Sequence, residues 1–233
     1  MKKNFSAMIL SAGFGKRLLP ITNKVPKPLV KINNISLLKN CIDFLFNIGC
    51  KKIVVNTHFK HQLIYDFIKH NYDNSNITVL YEKDILDTGG AVKNAMSFFD
   101  DENILVTNSD IFWIKKNEID ILKILSDYRI SDQCRLLLVP KGKANGIYRN
   151  KGDFSLNNNL VKRWDCNETI LYYSGLQIVS LDIFKNFKDN KFSFNSVWDN
   201  QIKKRSLFGN IMNSHWYHVG DFRGLNKAIK ANT

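Results

Sequence analysis

Leu10–Val30 reads LSAGFGKRLLPITNKVPKPLV: a short apolar strand runs into a turn punctuated by Gly13 and Gly15, followed by Lys16, Arg17, Lys24 and Lys27 and no carboxylate. Glycine tolerates positive φ and lets a ligand come close to the backbone, so successive N–H groups in such a turn can converge on phosphate oxygens. Arg17 and Lys27 add full charges. The first 42 residues hold eight Lys or Arg and no Asp or Glu, a bias that no helix or strand propensity requires. A merely solvated basic N-terminus would need neither the two glycines nor Pro20, Pro26 and Pro28. The stretch reads as a phosphate site placed directly after the first strand.

Beyond it, strand and helix patterns alternate. Ala7–Leu10 reads as a buried strand, Leu37–Ile48 as an amphipathic helix ended by Gly49, and Lys52–Asn56 as a second strand. Helix His61–His70, strand Thr78–Tyr81, helix Gly90–Phe99 and strand Asn103–Thr107 follow. Such alternation implies crossover connections and a Rossmann-like α/β fold, with a mostly parallel sheet covered by helices on both faces. Ligands of these sheets sit beyond the carboxyl ends of the strands, where the glycine turn and Asn108-Ser109-Asp110 would both lie. From about residue 140 the texture becomes β-rich. Gly142, Gly146, Gly152 and Asn157–Asn159 separate strand-like stretches at Leu160–Trp164, Tyr172–Val179 and Leu207–Met212. Helical patterns fill Leu181–Phe187, Val197–Lys204 and Phe222–Ala231. With no repeat and no long linker, a core over about 1–140 and a smaller lobe over about 141–233 are expected to form one domain.

Composition narrows the function classes. A chain of 233 residues with 44% hydrophobic content can bury one good core. Its apolar runs are too short to span a bilayer and its start has no apolar signal core, so a cytoplasmic protein with no membrane partner is expected. Cys41, Cys50, Cys134 and Cys166 are widely spaced, which speaks against a zinc site or a disulfide framework. The formal net charge of +13 raises the question of nucleic acid. Yet the lysines are scattered, often beside Asn, and no basic helix, finger or aromatic RNA-binding motif is present, so no nucleic-acid partner is expected.

The two common nucleotide motifs fail. A dinucleotide turn would need a third glycine where Leu18 stands and an acidic residue about 20 positions on, and a P-loop would need G-x-x-x-x-G-K-[ST]. The order G-x-G-x-R, P-x-T, P-K-P, carried by Gly13, Gly15, Arg17, Pro20, Thr22, Pro26, Lys27 and Pro28, instead resembles the sugar-phosphate nucleotidyltransferases. Asp87-Thr88-Gly89-Gly90-Ala91 is similar to that family's nucleoside-contacting turn, and Asn108-Ser109-Asp110 to its metal-binding strand end. The likeness continues through Gly152-Asp153-Phe154, Tyr173–Gln177, Phe192–Asp199 and Trp216–Gly220. In its short length and later motifs the chain looks most like the N-acetylmuramate-1-phosphate uridylyltransferases of bacterial cell-wall recycling.

That resemblance implies a glycosyltransferase-A-like nucleotidyltransferase fold whose β-rich lobe binds the sugar. It implies a reaction of a sugar 1-phosphate with a nucleoside triphosphate, UTP favoured, releasing pyrophosphate with Mg²⁺ as cofactor. Arg17, Lys27 and Asp110 become the catalytic candidates. Leu10, Ala12, Gly13, Phe14, Gly15, Lys16, Arg17, Thr88, Gly89 and Gly90 become nucleotide contacts. Asn108, Arg149, Lys151, Asp153, Gly175 and Gln177 fall to the sugar, with Arg149 and Lys151 as partners for a muramate carboxylate. Such a reaction brings two polyanions together, so cations must screen the approach, and the attacking phosphate oxygen needs no general base.

Asp110 is the metal-ligand candidate from the residues alone, because a lone carboxylate after an apolar strand needs a partner. Where most relatives carry a second aspartate, in W-x-D-V-G, this chain has His218. Asp221, three residues later, is an alternative second ligand. His58 and His61 read as surface or capping residues, and Trp216 fits packing as well as ligand contact. Mannose- or heptose-1-phosphate guanylyltransferase, phosphocholine cytidylyltransferase and a non-catalytic nucleotide-sugar sensor remain as alternatives. Either a monomer or a homodimer is compatible with the sequence.

Overall fold

Ala7, Met8 and Ile9 are fully buried in strand β1 (Phe5–Leu10), as a strand packed on both faces requires. Its neighbours in the computed structural model, which describes residues 4–72 and 76–231, are β2 (Cys50–Thr57) and β4 (Asn103–Asn108), both parallel to it. Strand β3 (Ile77–Tyr81) extends the parallel run beyond β2. Between these strands lie α1 (Leu37–Asn47), α2 (His61–Asn71) and α3 (Asp87–Ala95). Helix α1 buries Leu37, Leu38, Cys41, Ile42, Phe44 and Leu45. Ser36 caps it by accepting from Lys39 N at 3.1 Å, and Gly49 at φ +100° turns the chain out of it.

The second part of the chain joins the same sheet. Strands β5 (Cys134–Pro140), β6 (Phe154–Asn157), β7 (Leu160–Arg163), β8 (Leu171–Ser180) and β9 (Leu207–Ile211) complete nine strands in the order β6-β7-β9-β5-β8-β4-β1-β2-β3. Strand β8 lies antiparallel between β4 and β5, while β9 is parallel to β5. The pairing of β8 with β5 is bulged: Tyr173 faces Leu138 and Gln177 faces Leu136, so Ser174, Gly175 and Leu176 stand opposite Leu137 alone. Helices α4 (Asn117–Asp127), α5 (Phe194–Lys203) and α6 (Phe222–Ala231) follow in chain order, and apolar clusters pack the two faces of the sheet.

Three elements exceed the sequence pattern. Helix α4 carries polar groups on its inner side. Asn117 donates to Ser214 Oγ and His215 O, and Asp120 accepts from the backbone of Asn213 and Ser214, which breaks the apolar period. Strands β5 and β6 also lie outside the expected segments. The helical stretch expected at Leu181–Phe187 is a single turn, Asp182–Lys185. Among the described residues no helix is long and apolar enough to cross a membrane.

Candidate active site

Two cavities open at the carboxyl edge of β1 and β4. The larger, of about 390 Å³, is lined by the 10–17 turn, Lys27, Asn56, Glu82, Thr88 and Asp110. Side chains tie the strand ends beneath it together. Ser11 N donates to Asn56 Oδ1 at 2.9 Å, Asn56 Nδ2 to Glu82 Oε1 at 2.7 Å, and Ser109 Oγ to Leu10 O at 2.8 Å. No backbone N–H from Ala12 to Arg17 finds a protein acceptor among the described residues, so this turn presents unpaired donors to the cavity. Ser11 Oγ is likewise buried without a partner.

Gly15 shows why the turn has its sequence. Its φ is +67°, and a Cβ there would stand 2.8 Å from Lys27 Cβ and 3.0 Å from Thr22 Cγ2. Thr22 Oγ1 donates to Gly15 O at 3.1 Å. Glycine therefore lets the segment carrying Lys27 close on the turn carrying Arg17. Pro26 is extended at φ −66°, and Lys27 opens the short 3₁₀ turn Lys27–Leu29 that points its ammonium at the strand end.

Lys27 Nζ lies 2.6 Å from Asp110 Oδ2, and His218 Nε2 lies 3.2 Å from the same oxygen. The side chains are 13%, 18% and 19% exposed for Lys27, Asp110 and His218, so water screens the cluster weakly. Burial alone would raise the Asp110 carboxyl. The Lys27 ammonium and then His218 outweigh it, holding Asp110 well below the usual carboxylate range. Asp110 is an anion there. The His218 ring stacks on Trp216 at 5.6 Å and 2°, and covers Gly220, where a Cβ would come within 2.4 Å of His218 Cε1. The cationic turn and the acidic strand tip, far apart in sequence, meet at this point.

The smaller cavity, of about 240 Å³, shares Asn108 with the larger one and is lined by His218, Gly175, Arg149, Asp153 and an aromatic wall of Phe154, Tyr173, Trp198 and Trp216. The β8 bulge builds its inner end. Gly175 at φ +81° brings the backbone to Asn108 Nδ2, 3.2 Å from a notional Cβ, and Trp216 Nε1 donates to Ser174 O at 2.8 Å.

Most expected contacts converge here. Leu10, Ala12, Gly13, Gly15, Lys16, Arg17, Lys27, Thr88 and Asp110 line the larger cavity, and Asn108, Arg149, Asp153 and Gly175 the smaller. Several do not. Phe14 turns outward onto His58 and Phe59. Gly89 and Gly90 donate to Phe192 O at 2.9 and 3.0 Å, and a Cβ on either would strike Phe192 or Asn190, so these glycines serve packing of the 190–192 segment. Gln177 is fully buried under the Trp198 indole, whose Nε1 donates to its Oε1 at 2.8 Å. Lys151 is exposed and outside the cavity lining. Asp221 accepts from Gly224 N at 2.8 Å in the first turn of α6 and is absent from the lining of both cavities. Sequence reasoning missed Asn56, Glu82, Arg163 and Asn195, which come from strand ends and α5 without a motif of their own.

A divalent cation fits this cluster in one respect: Asp110 Oδ1 is buried with no protein partner. Among the described residues no group of three or more His, Cys, Asp or Glu side chains could hold a metal. An ion here would rest on Asp110, with His218, 3.2 Å from the other carboxylate oxygen, as a second donor and phosphate or water oxygens completing its shell.

A mostly parallel sheet with unpaired backbone donors, clustered cations and one ionised carboxylate at its carboxyl edge suits a polyanionic ligand. The sequence profile of the Nucleotidyl transferase family matches residues 6–146, and the chain belongs to that family. It is similar to the N-acetylmuramate alpha-1-phosphate uridylyltransferase of Caulobacter vibrioides, 28% identical over 222 residues, covering 92% of this chain and 91% of the relative. The D-glycero-alpha-D-manno-heptose 1-phosphate guanylyltransferase of Aneurinibacillus thermoaerophilus is 25% identical over 232 residues, covering 96% and 98%. The crystal structure of HddC from Yersinia pseudotuberculosis complexed with GMP-PN shares the fold, with a TM-score of 0.79 at 23% identity over 98% of this chain and 100% of that one. The protein is thus a sugar-phosphate nucleotidyltransferase.

Proposed function

We propose that the enzyme transfers a uridylyl group from UTP to N-acetylmuramate 1-phosphate, in cell-wall recycling in the cytoplasm. The observation that carries the chemistry is the contact of Lys27 with Asp110 in the lining of the larger cavity, two residues from Asn108, which both cavities share. The choice of substrate is supported by the Caulobacter relative, similar over almost the whole chain, and by arginines in the smaller cavity.

In this reading the triphosphate lies in the larger cavity. The 12–17 N–H groups and Arg17 hold the departing pyrophosphate, and Lys27 screens the α-phosphate. A phosphate oxygen of the sugar phosphate forms the new bond to the α-phosphorus as the α–β bond breaks. Preorganised donors and charges of this kind act without reorganising during the reaction. Mg²⁺, when bound at Asp110, would neutralise phosphate charge.

One feature favours a second reading, a guanylyltransferase. Glu82 places a buried carboxylate in the wall of the larger cavity, and guanine offers two N–H donors on its pairing edge where uracil offers one. A pyrophosphate-release panel of four nucleotides against several sugar phosphates tests both. UTP with N-acetylmuramate 1-phosphate is expected to give the highest kcat/KM, and GTP with a heptose or mannose 1-phosphate in that place would replace the first reading with the second.

A further inference from the structure

Two guanidinium groups line the smaller cavity, and they are not equivalent. Arg149 is committed to the protein. Its Nη2 donates to both oxygens of Asp153 at 2.7 Å and its Nη1 to Lys151 O at 2.9 Å, while its plane lies over Tyr172, 4.9 Å from the ring centre. Asp153 also lines the cavity, so the charge of Arg149 is answered within the same wall.

Arg163 differs on both counts. Its Nε donates to Asp199 Oδ1 at 2.8 Å and its Nη2 to Asn195 Oδ1 at 3.0 Å, but Nη1 has no hydrogen-bond partner among the described residues. Asp199 is not part of the cavity lining, so within that lining Arg163 has no carboxylate partner of the kind Arg149 has in Asp153. The guanidinium lies 4.9 Å from the Phe154 ring centre and 5.9 Å from that of Trp198, within cation–π reach of two rings of the cavity wall.

Its position within the cavity also matters. Arg163 pairs with Phe154 and Phe154 with Leu171, while Gly175, beside Asn108, lies four residues farther along β8. Arg163 therefore stands at the end away from Asn108 and Asp110, where the phosphate of a bound sugar would sit. A cation there suits a second anionic group on the sugar itself. The neighbouring aromatic wall suits the apolar atoms that carry it.

We infer that Arg163 selects a sugar phosphate bearing a carboxylate on its ring substituent, binding that carboxylate through Nη1. This rests on the reading of the enzyme as a muramate-phosphate uridylyltransferase and replaces the pair Arg149 and Lys151 as the site of selection.

The test compares N-acetylmuramate 1-phosphate with N-acetylglucosamine 1-phosphate, which lacks the lactyl carboxylate, by pyrophosphate release with UTP. Loss of a charge-assisted hydrogen bond corresponds to about ten- to a hundredfold in affinity. Arg163→Gln is expected to raise KM for the muramate substrate by that factor relative to the glucosamine one, with Arg163→Lys restoring part of it. Asp199→Asn, which breaks the same ion pair but keeps the cation, is expected to retain the muramate preference. If wild type prefers the muramate substrate and Arg163→Gln keeps that preference, or if Asp199→Asn loses it equally, Arg163 is structural and the inference fails while the substrate reading stands. If wild type shows no preference for the carboxylated sugar, the substrate reading fails and the inference with it.

Discussion

The two cavities solve different problems with different materials. The larger cavity draws its cations from one continuous segment, residues 10–27, closes with Asn56, Glu82, Thr88 and Asp110 from other strand ends and α3, and leaves the backbone donors of its turn unpaired. The smaller cavity, to which the proposed function assigns the sugar, is assembled from β6, β7, β8, α5 and the Trp216–His218 strand, and its charged side chains are engaged in ion pairs. A polyanion common to all substrates can be met by backbone and fixed charge, whereas one sugar among many must be met by shape and by pairs that can be exchanged.

That division can be broken by substitution. Lys27→Ala is expected to lower kcat by about 10²–10³-fold on every sugar phosphate tested, with circular dichroism unchanged; a loss confined to one sugar would dissolve the division. Asp110→Asn should lower turnover by about 10²-fold and flatten the response to added Mg²⁺, which a titration of pyrophosphate release against metal will read. Removing divalent ions with a chelator should bring wild type to the same low rate. Gly15→Ala forces a side chain to φ +67° and against Lys27. Thermal unfolding should register a loss of about 1–2 kcal/mol, with turnover falling as well.

Asp153→Asn sharpens the comparison from the other side. It should raise KM for the sugar phosphate by up to about fivefold while KM for the nucleotide stays within twofold, because an exposed pair contributes about 0–1 kcal/mol and acts only on its own cavity. The smallest effect concerns Glu82, whose carboxyl is pushed up by burial against the hydrogen bonds from Asn56 and Leu86. A raised folded-state value favours the protonated form, so its stabilisation is present below the ordinary carboxylate range and is lost as pH rises through the folded value. The melting-temperature difference between wild type and Glu82→Gln should therefore move against wild type from about pH 4 towards neutrality. A constant difference would mean that Glu82 titrates normally.

The same contrast explains what could be seen in the residues. The meeting of Gly15, Arg17, Lys27 and Asp110 at one cavity was legible because a glycine turn with fixed charges is local backbone chemistry that leaves a spaced signature. The alternation of β1 to β4 with helices was legible for the same local reason. Gln177 was misplaced because α5, recruited from some twenty residues away, lays Trp198 over it. Gly89 and Gly90 looked like a ligand turn, yet the surface they accommodate is the chain's own 190–192 segment. Arg163 had no legible signal: one arginine in VKRWDC acquires its meaning only when Phe154, Asn195 and Trp198 surround it.

The bulge in β8 has an evolutionary consequence. The half-strand before it, Leu171–Tyr173, pairs with β5 and brings Tyr173 to the smaller cavity, whereas Leu176–Ser180 is bonded to β4 at the heart of the sheet. Because Ser174–Leu176 break the regular register, the outer half-strand can shift or exchange residues without dragging the inner half along. Under the proposed function, a substitution in the outer half-strand would retune acceptor choice while Asn108 and Asp110, at the end of the strand that the inner half holds, keep their places.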